Sequence, residues 1–158
     1  MPVLRSRLIL ALTLGACQPS PRQEDAAAYA ARMAPVFTQD EAVSRQVLEL
    51  AEQARAGKLD ASGLAARVEQ EILPAARQVA SAARAVTPAT PALSEPHRRL
   101  VESWTARSDA YADLTRAFHA GDLTAFDAAS KADLKASDAA AAARNELTQE
   151  LSRWNLPL

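Results

Sequence analysis

One cysteine, four glycines, two histidines and seven aromatic residues leave this 158-residue chain little material for chemistry. The lone thiol of Cys17 has no second cysteine to pair with, which excludes a disulfide framework and a Cys-x-x-Cys-His haem attachment. Gly15, Gly57, Gly63 and Gly121 are scattered, so no glycine-rich loop is available to cradle a phosphate, and no Gly-x-Ser-x-Gly elbow exists for a serine nucleophile. His97 and His119 stand twenty-two positions apart on one expected helix, so that helix alone brings no two imidazoles to one metal. Ferritin-like carboxylate sites need a glutamate three residues before a histidine, and those places hold Ser94 and Arg116. Met33, the remaining soft ligand near a histidine-bearing bundle, reads as core. No metal is expected.

Charge of one sign is missing too. Lys plus Arg number 18 against 19 acids, and Arg98-Arg99 is the longest basic cluster among the expected helices. Nucleic-acid binding needs a concentrated positive face, so it is not expected. The carboxylate pairs Glu69/Glu71, Asp109/Asp113 and Asp133/Asp138 read as solvated surface charge rather than acid–base machinery. Together with the absent nucleophiles, this predicts a protein that is not an enzyme.

Alanine makes up about a quarter of the residues, while glycine and β-branched residues are sparse. Alanine is the strongest helix former, and no stretch shows the strict alternation of a half-buried strand. The pattern predicts an all-α fold, an antiparallel up-down four-helix bundle forming a single domain over 23–158. Helix 1 carries Tyr29, Met33 and Phe37 on one face, then Val43, Val47 and Leu50. Pro35 and the capping box Thr38-Gln39-Asp40-Glu41 predict a kink or a break there. Helix 2 starts at the cap Asp60 and bends at Pro74, which removes the hydrogen bond to the carbonyl of Gln70. Thr87–Pro96 reads as the one substantial internal loop, with Ser94 capping helix 3. Leu100, Trp104, Tyr111, Leu114 and Phe118 stripe that helix, with a gap at Arg107/Ser108. Gly121 ends it, Asp122 caps helix 4, and Leu123, Phe126, Ser130, Leu134, Ser137, Ala141, Leu147, Leu151 and Trp154 are expected to face inward.

Two arginines, Arg107 and Arg144, fall at or beside inward positions near the middle of helices 3 and 4. Their first expected fate is to reach the bundle edge or pair with a nearby acid. The second is a ligand-binding site between the helices, where Arg107 and Arg144 meet an anionic small molecule beside Trp104 and Tyr111.

The amino terminus is patterned differently. Met1–Arg7 carries Arg5 and Arg7 and no acid, Leu8–Leu14 is almost unbroken apolar sequence, and Leu14-Gly15-Ala16-Cys17 closes it with small residues before the thiol. This is the three-part layout of an export signal. The apolar run is roughly half of what about 30 Å of hydrocarbon requires of a helix, so it is a poor permanent span. Leu14-Gly15-Ala16-Cys17 resembles the lipobox of bacterial lipoproteins. That resemblance implies a signal peptide over 1–16 and a covalent diacylglycerol on the Cys17 thiol, with N-acylation of the new amino group in many bacteria. No other cofactor is expected. Residues 17–22 would then form a lipidated tether, and loss of Arg5 and Arg7 would leave 16 basic residues against 19 acids. Two or three acyl chains exceed the one-chain threshold of marginal membrane binding. Gln18 replaces the aspartate that retains many such lipoproteins in the inner membrane of enteric bacteria, so the resemblance favours the periplasmic side of an outer membrane in a host with two membranes. The expected function is a non-enzymatic, membrane-anchored helical lipoprotein of the cell envelope with a structural or protein-interaction role. Its partners would be the membrane, through the anchor, and another envelope protein, met partly by the apolar tail Trp154–Leu158.

Overall fold

Ser20 opens the first helix: its hydroxyl oxygen accepts the backbone N–H of Gln23 at 3.3 Å, and Pro21 takes the first helical position, where a missing amide costs little. The computed structural model describes residues 20–158, so the expectations for Met1–Arg7, Leu8–Leu14, Cys17 and Gln18 lie outside the described residues. All regular structure among the described residues is helical: α1 (Pro21–Arg55), α2 (Ala61–Arg67), a π-helical segment (Val68–Ile72), α3 (Leu73–Arg84), α4 (Pro91–Ala120) and α5 (Leu123–Ser152). Because α2, the π segment and α3 adjoin without a break, the chain folds as four rods. Pro21 and Arg22, expected in the tether, belong to the first of them.

α1 runs unbroken through Pro35. The expected capping box does not form, because the Thr38 hydroxyl donates to the carbonyl of Ala34 at 3.1 Å and the Glu41 carboxylate accepts from Arg144 at 2.7 Å. An interior proline costs about 3 kcal/mol. Tyr29, Met33, Val36 and Phe37 are all buried on either side of it, and each such side chain returns about 1.5–3 kcal/mol. Burial wins, and the break is overruled. α1 stops where Gly57 adopts φ 67, a left-handed conformation costly to any residue with a Cβ.

Asp60 caps the second rod as expected, accepting the N–H of Gly63 at 2.7 Å. The disturbance foreseen at Pro74 takes a defined form. The N–H of Leu73 reaches back five residues to the carbonyl of Val68, so one π turn absorbs the missing amide just ahead of the proline. α4 begins at Pro91, earlier than expected. Thr90 stands at its start without a side-chain cap bond, Ser94 is not a cap, and Pro96 lies buried inside the helix. Gly121 ends α4 at φ 66 and Asp122 caps α5 through the N–H of Ala125 at 2.9 Å, both as the sequence indicates.

The most extensive helix pairing is α4 with α5, followed by α3 with α4 and α1 with α3. α1 meets α4 through long side chains: Tyr29 against His97, Phe37 edge-on to Trp104 at 5.5 Å, and Asp40 against Arg107. Met33, Ile72, Leu93, Leu100, Leu147 and Leu151 complete the sealed centre.

The expected inward face of helix 4 is corrected over its first half. Leu123 is 83% and Leu134 66% exposed, Phe126 and Ala141 are exposed, and Ser130 and Ser137 are half-buried. Ala129, Ala136, Ala140 and Ala143 are buried instead, continuing into Leu147 and Leu151. Small side chains let two helix axes approach the short end of the usual 8–10 Å separation, and close approach to α4 offsets the apolar area left on the leucines. Trp154 packs against the core as expected, Leu156 and Leu158 of the apolar tail pack there with it, and the Trp154 carbonyl accepts from Gln23 Nε2 at 3.4 Å. No helix among the described residues is long and apolar enough to cross a membrane.

Candidate functional site

Arg107 interrupts the apolar stripe of α4 and is nevertheless buried. α1 makes this tolerable. Asp40 projects from the face that carries Phe37 and Val43 and forms an ion pair with the Arg107 guanidinium. At the next residue of α1, Glu41 accepts from Arg144 of α5 at 2.7 Å, and that guanidinium lies over the Phe37 ring, its carbon 4.7 Å from the centroid. Trp104, Arg107 and Arg144 thus line one cleft of about 260 Å³ between α1, α4 and α5, together with Asp40, Ser44 and Ser137. Three of the four residues expected at a ligand site are brought together.

Charge decides what this cleft holds. Arg107 and Arg144 are matched by Asp40 and Glu41, so an entering anion would have to displace a carboxylate already in place. Arg107 Nε is the one buried side-chain polar atom of the cleft with no hydrogen-bond partner among the described residues.

Tyr111 is not part of that cleft. It lines a separate apolar one of about 230 Å³ bounded by α1, α2, the π segment, α4 and α5, with Val47, Leu50, Leu64, Phe118 and Phe126. Asp133 of α5 is on the same wall, and the expectation that it is plain surface charge is corrected. Burial raises its carboxyl pKa from the ordinary aspartate value, opposed by the Arg107 guanidinium and the Tyr111 hydroxyl. Tyr111 is itself pushed up to about 12, chiefly by burial and next by the Asp133 carboxylate.

The two histidines stay apart. His97 is buried, its Nδ1 3.1 Å from the Tyr29 hydroxyl, whereas His119 is exposed and pairs with Glu69 at 3.1 Å. Burial lowers the pKa of His97, partly offset by the backbone carbonyls of Val86 and Ala83. The neutral ring is thus the favoured form, and its Nδ1 shares a buried hydrogen bond with the Tyr29 hydroxyl.

Asp40 and Asp133 escaped the sequence reading. Asp40 sits seven residues after Met33, three after Phe37 and three before Val43, squarely on the apolar stripe, so its signal was an acid at a core register. Asp133 carried no such signal, because Phe126, seven residues before it, lies off the buried face of α5. No family model, no curated protein and no solved structure matches this chain.

Proposed function

We propose that this chain is a membrane-anchored, non-enzymatic helical lipoprotein of the bacterial cell envelope, acting structurally or by binding another envelope protein. Cys17 would carry the diacylglycerol and an N-acyl chain after removal of 1–16, favouring the periplasmic face of an outer membrane in a host with two membranes. The observation that carries the reading is Leu14-Gly15-Ala16-Cys17 at the end of a charged-then-apolar leader, only a few residues ahead of a helical body beginning at Pro21. Leu48, Leu123, Phe126 and Leu134 stay exposed on that body and support a protein-binding role.

The reading includes an up-down-up-down order of the four rods. Pairings Tyr29–His97, Phe37–Trp104 and Asp40–Arg107 rise together along α1 and α4, which supports a parallel diagonal pair. Glu69–His119 with Arg84–Thr105, and Gln23–Trp154 with Glu41–Arg144, run in opposite senses and support antiparallel neighbours.

A ligand-binding or sensor bundle near Trp104, Arg107, Tyr111 and Arg144 is the second reading, favoured by the cleft that both arginines line. It ranks lower because each guanidinium already has a carboxylate.

Intact-mass measurement of the membrane-extracted protein tests the first reading. The expected mass is that of residues 17–158 plus two or three acyl chains, and Cys17→Ser should release the protein into the aqueous fraction. A full-length, unmodified mass would overturn it.

A further inference from the structure

We propose that the apolar cleft bearing Tyr111 and Asp133 is a binding site for a small apolar amine, its hydrocarbon part among Val47, Leu50, Leu64 and Phe118 and its ammonium against the Asp133 carboxylate. This goes beyond the lipoprotein reading and does not depend on it.

Size sets the first limit. A dry cavity of about 150 Å³ holds a benzene ring, so 230 Å³ takes one ring or a short alkyl chain with a small head. The walls set the second. They are aliphatic and aromatic except for Tyr111, Thr115 and Asp133. The Thr115 hydroxyl is spent on the carbonyl of Ala112 at 3.0 Å, and the Tyr111 hydroxyl is near enough to the Asp133 carboxyl for each to shift the other's titration. Asp133 is thus the only charged side chain lining the cleft among the described residues.

The third limit is charge. Arg107, the guanidinium that acts on the Asp133 carboxyl, forms its ion pair with Asp40, so the trio carries one carboxylate in excess. Asp133 Oδ1 is buried with no hydrogen-bond partner among the described residues, and the open side of this half-buried residue is its other carboxylate oxygen, which an ammonium can reach. An anion entering the cleft would meet like charge in a poorly screened place. A neutral hydrocarbon would strip water from the carboxylate and return nothing. An ammonium on an apolar body supplies the missing charge and donors, while its remainder is buried as the walls require.

The test is a titration of the full chain with n-hexylamine, 1-hexanol and hexanoate at neutral pH, read by the methyl resonances of Val47, Leu50 and Leu64. Hexylamine should bind saturably and shift those methyls, with hexanol weaker and hexanoate weakest. Asp133→Asn should reduce hexylamine affinity roughly tenfold or more, to the level of hexanol, and Leu64→Trp, which fills the cleft, should abolish binding of both. Hexanoate binding as tightly as hexylamine would overturn the proposal. So would shifts confined to other methyls, no saturation by hexylamine in the wild-type chain, or affinity unchanged in either variant.

Discussion

Asp40 on α1 and Arg107 on α4 form an ion pair inside the bundle, with side chains 12% and 7% exposed. Removing each charge from water costs several kcal/mol, and their attraction roughly returns it. The net stabilisation is therefore small, but the two charges can be satisfied only in one register of α1 against α4. The pair acts as a register pin between two helices whose backbones scarcely touch.

Breaking the pin from one side should be costly. Arg107→Ala leaves Asp40 buried without a counter-charge, and a loss of about 3–5 kcal/mol is expected in chemical denaturation. The double variant Asp40→Leu/Arg107→Met should recover most of that loss. A double variant as unstable as the single one would mean that the pair itself is a large net stabiliser.

Trp104 is 1% exposed and meets Phe37 edge-on. Trp104→Ala should cost about 3–5 kcal/mol, from lost transfer energy and the void left behind. Thermal unfolding reads it directly, and an unchanged midpoint would mean that the ring is not enclosed.

The turns and the fold class were legible in the sequence because each rests on local physics. Asp60, Gly121 and Asp122 act where their side chains or missing Cβ dictate. Thr38 and Ser94 misled and the break at Pro35 does not occur, since local rules compete there with tertiary burial that no short window contains. The Pro74 effect was visible as a disturbance but not as a π turn, whose form depends on keeping Ile72 and Leu73 both buried. Within the candidate site, Trp104, Arg107 and Arg144 were legible from stripe position, whereas Asp40 was masked by its place in a plausible capping sequence.

Acid should weaken the fold through His97. Its folded pKa lies below the ordinary 6.5 because the ring is buried. Below 6.5 the unfolded chain takes up a proton that the folded one resists, so this contribution is complete above that pH and is lost as pH falls through the folded value. The expected outcome is falling stability in denaturation series below about pH 6.5, with a shallower fall in His97→Gln. Asp133 has the opposite sign, since its raised pKa favours the folded state increasingly as the carboxyl protonates, and it acts nearer the carboxylate range.

The register of α5 is open to a clean test, because two faces compete for the core. The face expected from the large side chains, Leu123 through Ala141, needs a six-residue step to reach Leu147, which a single helical stripe does not sustain. The observed face, Ala129, Ala136, Ala140, Ala143, Leu147 and Leu151, advances by steps of seven, four and three only. Leu123→Gln/Leu134→Gln should therefore change stability by no more than about 0.5 kcal/mol per site, as for ordinary surface positions. Ala136→Leu on the opposite face should cost about 1–3 kcal/mol by forcing α4 and α5 apart. If the glutamine pair unfolded the protein while the bulkier Ala136→Leu was tolerated, the leucines would be core and α5 would sit one residue out of the register described above.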